Sequence, residues 1–211
     1  MLEIHLFINP LGTNCLHSEK SVLKIKHSLN TKVSYRFIPL FNMDTIQQTI
    51  SLFDLNSHDL LVRQKVSKIM YQIILDYMAA LFQGQKYGQQ YLLFLQSALI
   101  NQGADYTEEL TVEIADKAHL DIEMFLEDRQ STIAEKSYNE CQSLAQEFNI
   151  NRPNTAVLFN SNEENYGIKL NNCNYDALLA AYQVEQLGNK EATVHFVKKY
   201  QASNQAQLLQ K

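Results

Sequence analysis

The stretch that decides the fold runs from residue 2 to residue 15 and reads LEIHLFINPLGTNC. Large apolar side chains recur at every second position of its first half, at Leu2, Ile4, Leu6 and Ile8. This period of two is typical of a β-strand. Pro10 and Gly12 interrupt the strand, and Thr13 or Asn14 can cap a helix that extends to about residue 29. The stretch therefore predicts a strand that passes through a short turn into a helix.

Three further strands are predicted downstream. Residues 33–40 are β-branched and aromatic, so with the first strand and its helix they predict a βαβ unit with a parallel strand pair and a right-handed crossover. Residues 155–160 and 166–170 flank a polar turn and predict a hairpin. Between these pairs, apolar side chains recur at helical spacing, so residues 57–128 are predicted to form helices and no strand.

The order of these elements is that of a thioredoxin-like α/β fold interrupted by helices. Residues 1–56 and 129–211 are expected to form the thioredoxin-like domain, and residues 57–128 an inserted α-helical subdomain. The length of 211 residues fits one core with a large insertion. The tail from about residue 190 is predicted to be a last helix or a polar end.

Composition and charge limit the classes of partner. An apolar fraction of 45% supports a folded core, and a net charge of −5 without a Lys/Arg block disfavours nucleic acid and an anionic membrane as partners. The three cysteines stand at unrelated spacings and the N-terminus has no signal-peptide pattern, so we expect a reduced, cytoplasmic protein. No His or Cys spacing fits a zinc site and no Gly-rich phosphate motif is present, so no metal and no cofactor are expected.

Three stretches resemble the DsbA family of thioredoxin-fold proteins. The first reads FINPLGTNC at residues 7–15, where the family pattern runs from a strand through Pro to Cys-x-x-Cys at the start of a helix. The second, from GQKYG at 84–88 to Asp121, is similar to the helical insertion of DsbA-like proteins of the FrnE type. The third, from NRP at 151–153 to GIKL at 167–170, is similar to the cis-proline loop and closing hairpin of the family.

Within that family the sequence is most similar to the YjbH/SpxH group. The resemblance spans roughly residues 2–185 and rests on FN at 159–160, GIK at 167–169 and YD at 175–176. Members of the group are adaptors that deliver the transcription regulator Spx to the ClpXP protease. The resemblance therefore implies a protein client, with Spx expected, and ClpXP as the second partner. It leaves the oligomeric state open.

The redox motif of the family is degenerate in this chain. Gly12 stands where the family has its first cysteine and Cys15 where it has its second, with Thr13 and Asn14 between them. In the thioredoxin mechanism the first thiolate is the attacking group, activated at a helix N-terminus. Without it no intramolecular couple can cycle. We therefore expect no catalytic residue and a redox-inactive protein.

The cysteines that remain allow different interpretations. Cys15 is either a single reactive thiol, favoured by its helix N-terminus, or a small side chain buried by packing. Cys141 lies on an apolar helix face and is predicted to belong to the core. Cys173 lies in a polar stretch and is a candidate for exposure.

The loop before the third strand is the predicted partner-binding site. The resemblance implies that Arg152, Pro153, Asn154 and Thr155 shape a groove for a partner, and that the Arg152–Pro153 peptide is cis. Without the resemblance, any X-Pro bond is expected to be trans. Arg152 either contacts a carboxylate or backbone of the partner or is a solvated surface arginine.

Two functions follow, a binding adaptor and an enzyme. The adaptor fits the missing first cysteine on an otherwise family-like scaffold. The enzyme would be a DsbA-family thiol-disulfide oxidoreductase or isomerase with one cysteine, or a glutathione-dependent transferase in which Thr13 is the one hydroxyl of the motif. Reduction of insulin in the presence of glutathione separates the two.

Overall fold

The computed structural model describes residues 1–160, 166–186 and 206–210. Within these residues the chain has an α/β fold built on a five-stranded sheet. The strands are β1 (Leu2–Ile8), β2 (Val33–Pro39), β3 (Thr155–Asn160), β4 (Tyr166–Asn171) and β5 (Ala206–Gln210). Their order across the sheet is β2-β1-β3-β4-β5, so β1, β3 and β4 are interior strands.

The strands β1 and β3 are buried on both faces. β3 pairs antiparallel with β1 and with β4, which places Ile4 opposite Leu158 and Leu158 opposite Ile168. All three side chains are fully buried. His5 and Phe7, on the other face of β1, are buried as well. The alternation in the sequence predicted the strand correctly, but both of its faces lie in the interior.

Eight α-helices and one π-helical segment lie among the described residues. The α-helices are α1 (Thr13–Ser28), α2 (Met43–Leu52), α3 (Leu60–Phe82), α4 (Gln85–Gln96), α5 (Glu108–Lys117), α6 (Ile122–Asp128), α7 (Thr132–Glu147) and α8 (Tyr175–Gln186). The π-helical segment, Ser97–Asn101, directly follows α4. Across the described part of the chain, no helix combines the length and the apolar character that a membrane span requires.

The predicted elements are largely confirmed. The first four strands and α1 fall within one or two residues of their predicted bounds, and the described structure has no strand between residues 57 and 128. β5 was not predicted; it pairs antiparallel with β4 at the edge of the sheet. The rest of the tail, at 187–205 and 211, lies outside the described residues. The parallel direction of the β1–β2 pair stays a prediction.

The chain divides into two compact units by the proximity of its Cα atoms. The sheet unit comprises residues 1–8, 17–38 and the described part of 152–211, and the helical unit comprises residues 9–16 and 39–151. The predicted subdomain at 57–128 lies inside the helical unit. Its proposed boundaries stay a prediction.

Helix α3 forms the centre of the helical unit. It contacts α2, α4, α6 and α7, the helices that surround it. Its side chains enter an apolar core whose largest buried members include Met70, Ile73, Tyr91, Leu95 and Phe125. Packing of amphipathic faces of this kind provides most of the stability of helices in proteins.

A buried ion pair lies inside this otherwise apolar unit; we call it the Asp76 centre. The Arg129 guanidinium donates from Nε to Asp76 Oδ1 at 2.7 Å and from Nη2 to Oδ2 at 3.1 Å. The Tyr106 hydroxyl donates to Oδ2 at 2.5 Å, and Gln72 Nε2 donates to Oδ1 at 3.0 Å. Asp76 is fully buried, so these donors replace the water that its carboxylate loses on folding. The centre joins α3 to the end of α6 and to the segment before α5.

Candidate functional site

The degenerate motif forms a tight turn between β1 and α1. The Gly12 amide donates to the Asn9 carbonyl at 2.9 Å, and the Leu16 amide donates to the Gly12 carbonyl at 3.1 Å, which starts the helix. The Asn9 amide donates to Cys15 Sγ at 3.2 Å. Backbone and thiol are therefore fixed relative to each other by hydrogen bonds across the turn.

Asn9 anchors this turn to helix α2, and its role was not predicted from the sequence. Its side chain is fully buried. Its Nδ2 donates to the Thr45 carbonyl at 3.3 Å and to Thr49 Oγ1 at 3.2 Å, and its Oδ1 accepts from the Leu11 amide at 3.0 Å. The signal that could have found it is an Asn directly after an apolar strand, with two threonines, Thr45 and Thr49, spaced four residues apart so that they share one face of a helix.

Cys15 is enclosed. Only 2% of its surface is exposed, and its sulfur accepts the hydrogen bond from Asn9. A thiol acts as a nucleophile only where its sulfur is accessible to the partner disulfide. The geometry therefore supports the interpretation of Cys15 as a buried packing residue rather than a reactive thiol. Thr13 is half-buried and Asn14 is exposed.

The backbone of Gly12 directs a side chain at this position towards the sulfur of Cys15. A Cβ atom built on Gly12 would lie 3.3 Å from Cys15 Sγ and 3.2 Å from both Cβ and the carbonyl oxygen of Asn9. An S–S bond of about 2.04 Å places each Cβ about 3 Å from the opposite sulfur. The turn thus keeps close to the geometry of a Cys-x-x-Cys disulfide while lacking one of its two sulfurs.

The predicted partner-binding loop lies in the sheet unit and is held by Asn154. Asn154 has a left-handed backbone with φ of 60°, and its amide donates to the Phe7 carbonyl at 2.7 Å. Its carbonyl accepts from the Cys173 amide at 2.9 Å. The Ser18 hydroxyl lies 2.5 Å from Asn154 Oδ1 and can donate its proton there. The loop is therefore fixed to β1, to α1 and to the segment after β4.

The four predicted contact residues are not equally accessible. Arg152 is exposed, and Pro153 and Asn154 are half-buried. Thr155 is only 2% exposed, and its Oγ1 donates to the Arg152 carbonyl at 3.0 Å. Thr155 thus supports the loop from inside.

The prediction of a cis peptide before Pro153 is wrong. The described chain contains no cis peptide bond. The trans isomer is the one that X-Pro bonds prefer, by about 0.5–1 kcal/mol. The chain changes direction at the left-handed Asn154 that follows Pro153.

The remaining cysteines are both internal. Cys141 is buried on α7, as predicted. Cys173 is also buried, which corrects its candidacy for exposure, and its amide and carbonyl take part in the bonding around Asn154 and Ser18. None of the three thiols is in a disulfide.

A family model described as Thioredoxin matches residues 5–203. The chain belongs to this thioredoxin family. It is 26% identical over 184 residues to the ClpXP adapter protein SpxH of Bacillus licheniformis, and the match covers 80% of the chain and 61% of SpxH. The chain thus spans about three fifths of the length of this relative.

Solved structures show the same fold. The cytosolic disulfide reductase DsbM from Pseudomonas aeruginosa matches 89% of the chain and 100% of its own length, with a TM-score of 0.61 and 14% identity. A variant of DsbA from the same organism matches 74% of the chain and 71% of its own length, with a TM-score of 0.51 and 14% identity. The predicted DsbA-like fold and the resemblance to the SpxH group are both confirmed.

Proposed function

We propose that this protein is a redox-inactive adaptor that binds a protein client and promotes its degradation by ClpXP, with Spx as the client. The observation that carries the proposal is the 26% identity to the ClpXP adapter protein SpxH over 80% of the chain. The proposal places the protein in the cytoplasm, where thiols stay reduced, and gives it neither nucleic acid nor a membrane as partner.

The turn at Gly12–Cys15 supports binding without chemistry. No thiol stands at the position of the attacking cysteine, and the sulfur that is present is enclosed. An adaptor needs no reactive group, because tethering a client beside the unfoldase raises its local concentration. The hydrogen bonds of the turn therefore support a protein that retains the backbone geometry of the redox motif without its catalytic thiol.

The loop at residues 152–155 is the proposed client site. Arg152 is exposed and offers a planar guanidinium with five donors, suited to a carboxylate or to backbone carbonyls of a client. The backbone beneath it is fixed through Asn154 and Thr155. A surface that is already ordered loses little conformational entropy on binding, so even a small contact can contribute to affinity.

The lifetime of purified Spx in the presence of ClpXP tests the proposal. We expect Spx to be degraded faster when this protein is added, and the two proteins to bind directly at micromolar concentration. If Spx neither binds nor is degraded faster, the adaptor function is wrong.

Three single substitutions test the location of the client site. Arg152→Ala is expected to weaken Spx binding roughly tenfold, the size of a typical interface hot spot. Arg36→Ala removes another exposed arginine, on β2, and is the matched control. Cys15→Ala should leave Spx binding nearly unchanged.

The alternative function is a thiol-disulfide oxidoreductase or isomerase, or a glutathione-dependent transferase. The fold shared with DsbM is the observation in its favour. Reduction of insulin by the wild-type protein with glutathione, abolished by Cys15→Ala, would establish this alternative and replace the redox-inactive adaptor.

A further inference from the structure

Helix α1 and strand β2 expose a group of basic side chains. Residues 17–38 contain five lysines and arginines, all of them exposed: Lys20, Lys24, Lys26, Lys32 and Arg36. The one acidic residue of this segment, Glu19, is fully buried. The two salt bridges of the described residues lie elsewhere. In the described part of the chain, no carboxylate therefore neutralises these five cations at ion-pair distance.

Part of this positive charge has a structural explanation. Lys26 lies in the last turn of α1, where the helix dipole favours a cation, and its Nζ lies 5.0 Å from the centroid of the Tyr35 ring. Arg36 follows Tyr35 along β2, so it points to the opposite face of the sheet. Neither explanation applies to Lys20 and Lys24, which we call the lysine pair. They lie in the interior of α1, and like charges four residues apart destabilise a helix, which indicates a role outside the fold.

The lysine pair lies on a helix that contacts the proposed client loop within the sheet unit. The Ser18 hydroxyl, on α1, lies 2.5 Å from Asn154 Oδ1 and 2.5 Å from the Cys173 carbonyl oxygen. Further along α1, Lys24 Nζ lies 4.3 Å from the centroid of the Tyr175 ring at the start of α8. These contacts place α1 beside the loop at residues 152–155 and beside the start of α8.

The distance along α1 suits an extended client segment. Ser18 and Lys24 are six residues apart, so their positions are separated by about 9 Å along the helix axis. An extended chain spans this distance with about three residues. A client segment held at Arg152 would therefore reach the lysine pair with its next few residues.

Few carboxylates lie near this path among the described residues. Asp176 is exposed in the first turn of α8, and Glu185 lies at the other end of that helix. Glu3, on β1, has its Oε1 2.9 Å from His5 Nε2. Three exposed cations, Arg152 and the lysine pair, thus stand against the single carboxylate of Asp176. A segment that complements them is acidic.

A protein segment is favoured over other anions. The chain carries a net charge of −5, and residues 104–128 alone contain nine acidic residues and one basic residue. A long polyanion such as nucleic acid, or an anionic membrane, is repelled by this charge over its whole length or area. A short acidic segment of a protein meets only the lysine pair and Arg152, so it avoids that repulsion.

We propose that the client segment bound by this adaptor is acidic, and that the lysine pair on α1 binds its carboxylates while Arg152 binds the part of the segment in the loop. The inference rests on the proposed function, and it adds the chemistry of the client segment and a second contact surface. The ring of Tyr175 restrains the Lys24 ammonium by a cation–π contact, so less conformational entropy is lost when a carboxylate binds.

Binding of purified Spx to variants of the full chain tests the inference. Lys20→Glu/Lys24→Glu should weaken Spx binding roughly tenfold or more, and Lys20→Gln/Lys24→Gln by less, because it removes the attraction without adding repulsion. Lys65→Glu/Lys68→Glu is the matched control, since it makes the same change in net charge at two exposed lysines of α3. The control should bind Spx nearly as the wild type does. Added salt should weaken binding of the wild type more than that of Lys20→Gln/Lys24→Gln.

Overlapping synthetic peptides of Spx identify the segment. The peptides that the wild type retains should be those rich in Asp and Glu. A retained peptide whose acidic residues are changed to Lys should bind Lys20→Glu/Lys24→Glu better than it binds the wild type. Retention of basic or uncharged peptides in place of acidic ones would contradict the inference.

The other outcomes separate the inference from the proposed function. If the wild type binds Spx and shortens its lifetime with ClpXP, but the lysine-pair variants bind Spx normally, the inference fails and the proposed function stands. If the control at α3 loses as much binding, the effect is one of net charge and the lysine pair is not a site. If a single-stranded oligonucleotide binds the wild type but not Lys20→Glu/Lys24→Glu while Spx binding is unchanged, the surface binds nucleic acid. If the wild type does not bind Spx, the proposed function fails together with the inference.

Discussion

Two kinds of site in the helical unit depart from the rule that polar side chains face water and large apolar side chains are buried. The polar side chains of Asp76 and Asn9 are fully buried. At the start of α3, the consecutive apolar side chains of Leu60 and Leu61 face water. The buried polar groups have hydrogen-bond partners within the unit, such as the two bonds from Arg129 to Asp76. The exposed leucines have no comparable cover among the described residues.

The difference separates what maintains the fold from what is available to a partner. A buried carboxylate is tolerated only when hydrogen-bond donors surround it, so the stability of the helical unit depends on the contacts of the Asp76 centre. The leucines contribute little to the folded state because water surrounds them before and after folding. We therefore expect substitutions at the polar centres to change stability, and substitutions of the exposed leucines to leave it nearly unchanged.

The largest effect on stability is expected from Asp76→Ala. It leaves the Arg129 guanidinium buried without its counter-charge, which typically costs about 3–5 kcal/mol. Urea unfolding followed by circular dichroism measures the loss, with Asp116→Ala, an exposed aspartate on α5, as the control. The double variant Asp76→Leu/Arg129→Met should recover much of the stability, because no charge remains buried. A loss below about 1 kcal/mol for Asp76→Ala would contradict the view that this centre maintains the fold.

The second effect concerns the turn at Asn9. Gly12→Cys should form a disulfide with Cys15 under oxidising conditions, since the required Cβ direction is already present. A closed loop of four residues contributes up to about 2 kcal/mol in the chain-entropy description, less any strain from the contact with Asn9. Intact mass with and without reductant detects the bond, and unfolding in both states measures its contribution.

The matched control for this bond is Thr13→Cys, because residues two apart on a helix do not face each other. The wild type should show no turnover of insulin disulfides, and Gly12→Cys should acquire some. A failure of Gly12→Cys to oxidise would mean that the turn has lost the geometry of the redox motif along with its cysteine.

The third effect is pH-dependent and belongs to the Asp76 centre. Burial, and then the charge and the hydrogen bond of Asp76, raise the pKa of Tyr106 well above that of an ordinary tyrosine. The pKa of Tyr91 is raised by the same causes. A raised folded-state pKa means that the folded protein retains a proton that the unfolded chain loses. The associated stability is therefore fully present below about pH 10 and is lost as the pH rises above it.

Tyr106→Phe tests this linkage. It removes the bond to Asp76 and the 3.2 Å bond from Arg129, at a cost of about 1–2 kcal/mol near neutral pH. It should also make the loss of stability above about pH 10 shallower, while the other tyrosines whose pKa is raised by burial, Tyr91, Tyr71 and Tyr138, still contribute. Urea unfolding at about pH 8 and about pH 10.5, on either side of the ordinary tyrosine pKa, gives both numbers. Tyr87→Phe, an exposed tyrosine, is the control. An unchanged slope above about pH 10 would show that Tyr106 does not retain its proton in the folded state.

The same comparison shows what could be predicted from sequence. The first four strands, α1 and the helical character of residues 57–128 were predictable because each is encoded by a local pattern, such as the alternation from Leu2 to Ile8. The polar centres were not, because Asp76 and Arg129 lie 53 residues apart and Asn9 and Thr49 lie 40 apart. No local pattern reports such pairings.

The candidate site was predictable to the same extent. The loss of the first cysteine is visible in the sequence, since Gly12 stands in its place. The burial of Cys15 and Thr155 and the trans peptide at Pro153 depend on neighbours from other segments. The exposure of Leu60 and Leu61 was not predicted, because apolar side chains at the start of a helix do not show by themselves whether they face a core, and these two precede the part of α3 that enters it.

The smallest effect on stability is expected from Leu60→Ser/Leu61→Ser. This variant tests directly whether the exposed leucines, unlike the buried polar centres, are dispensable for folding. Both leucines are mostly exposed and lie in the first turn of α3, where serine is tolerated, so the variant should change the free energy of unfolding by no more than about 0.5 kcal/mol per residue. Leu75→Ser in the same helix is the contrast: its side chain is buried, and removing it should cost about 2–5 kcal/mol. Urea unfolding of the three proteins side by side makes the measurement. If the double variant loses as much as Leu75→Ser, the two leucines contribute to the fold despite their exposure, and the contrast between them and the polar centres is wrong.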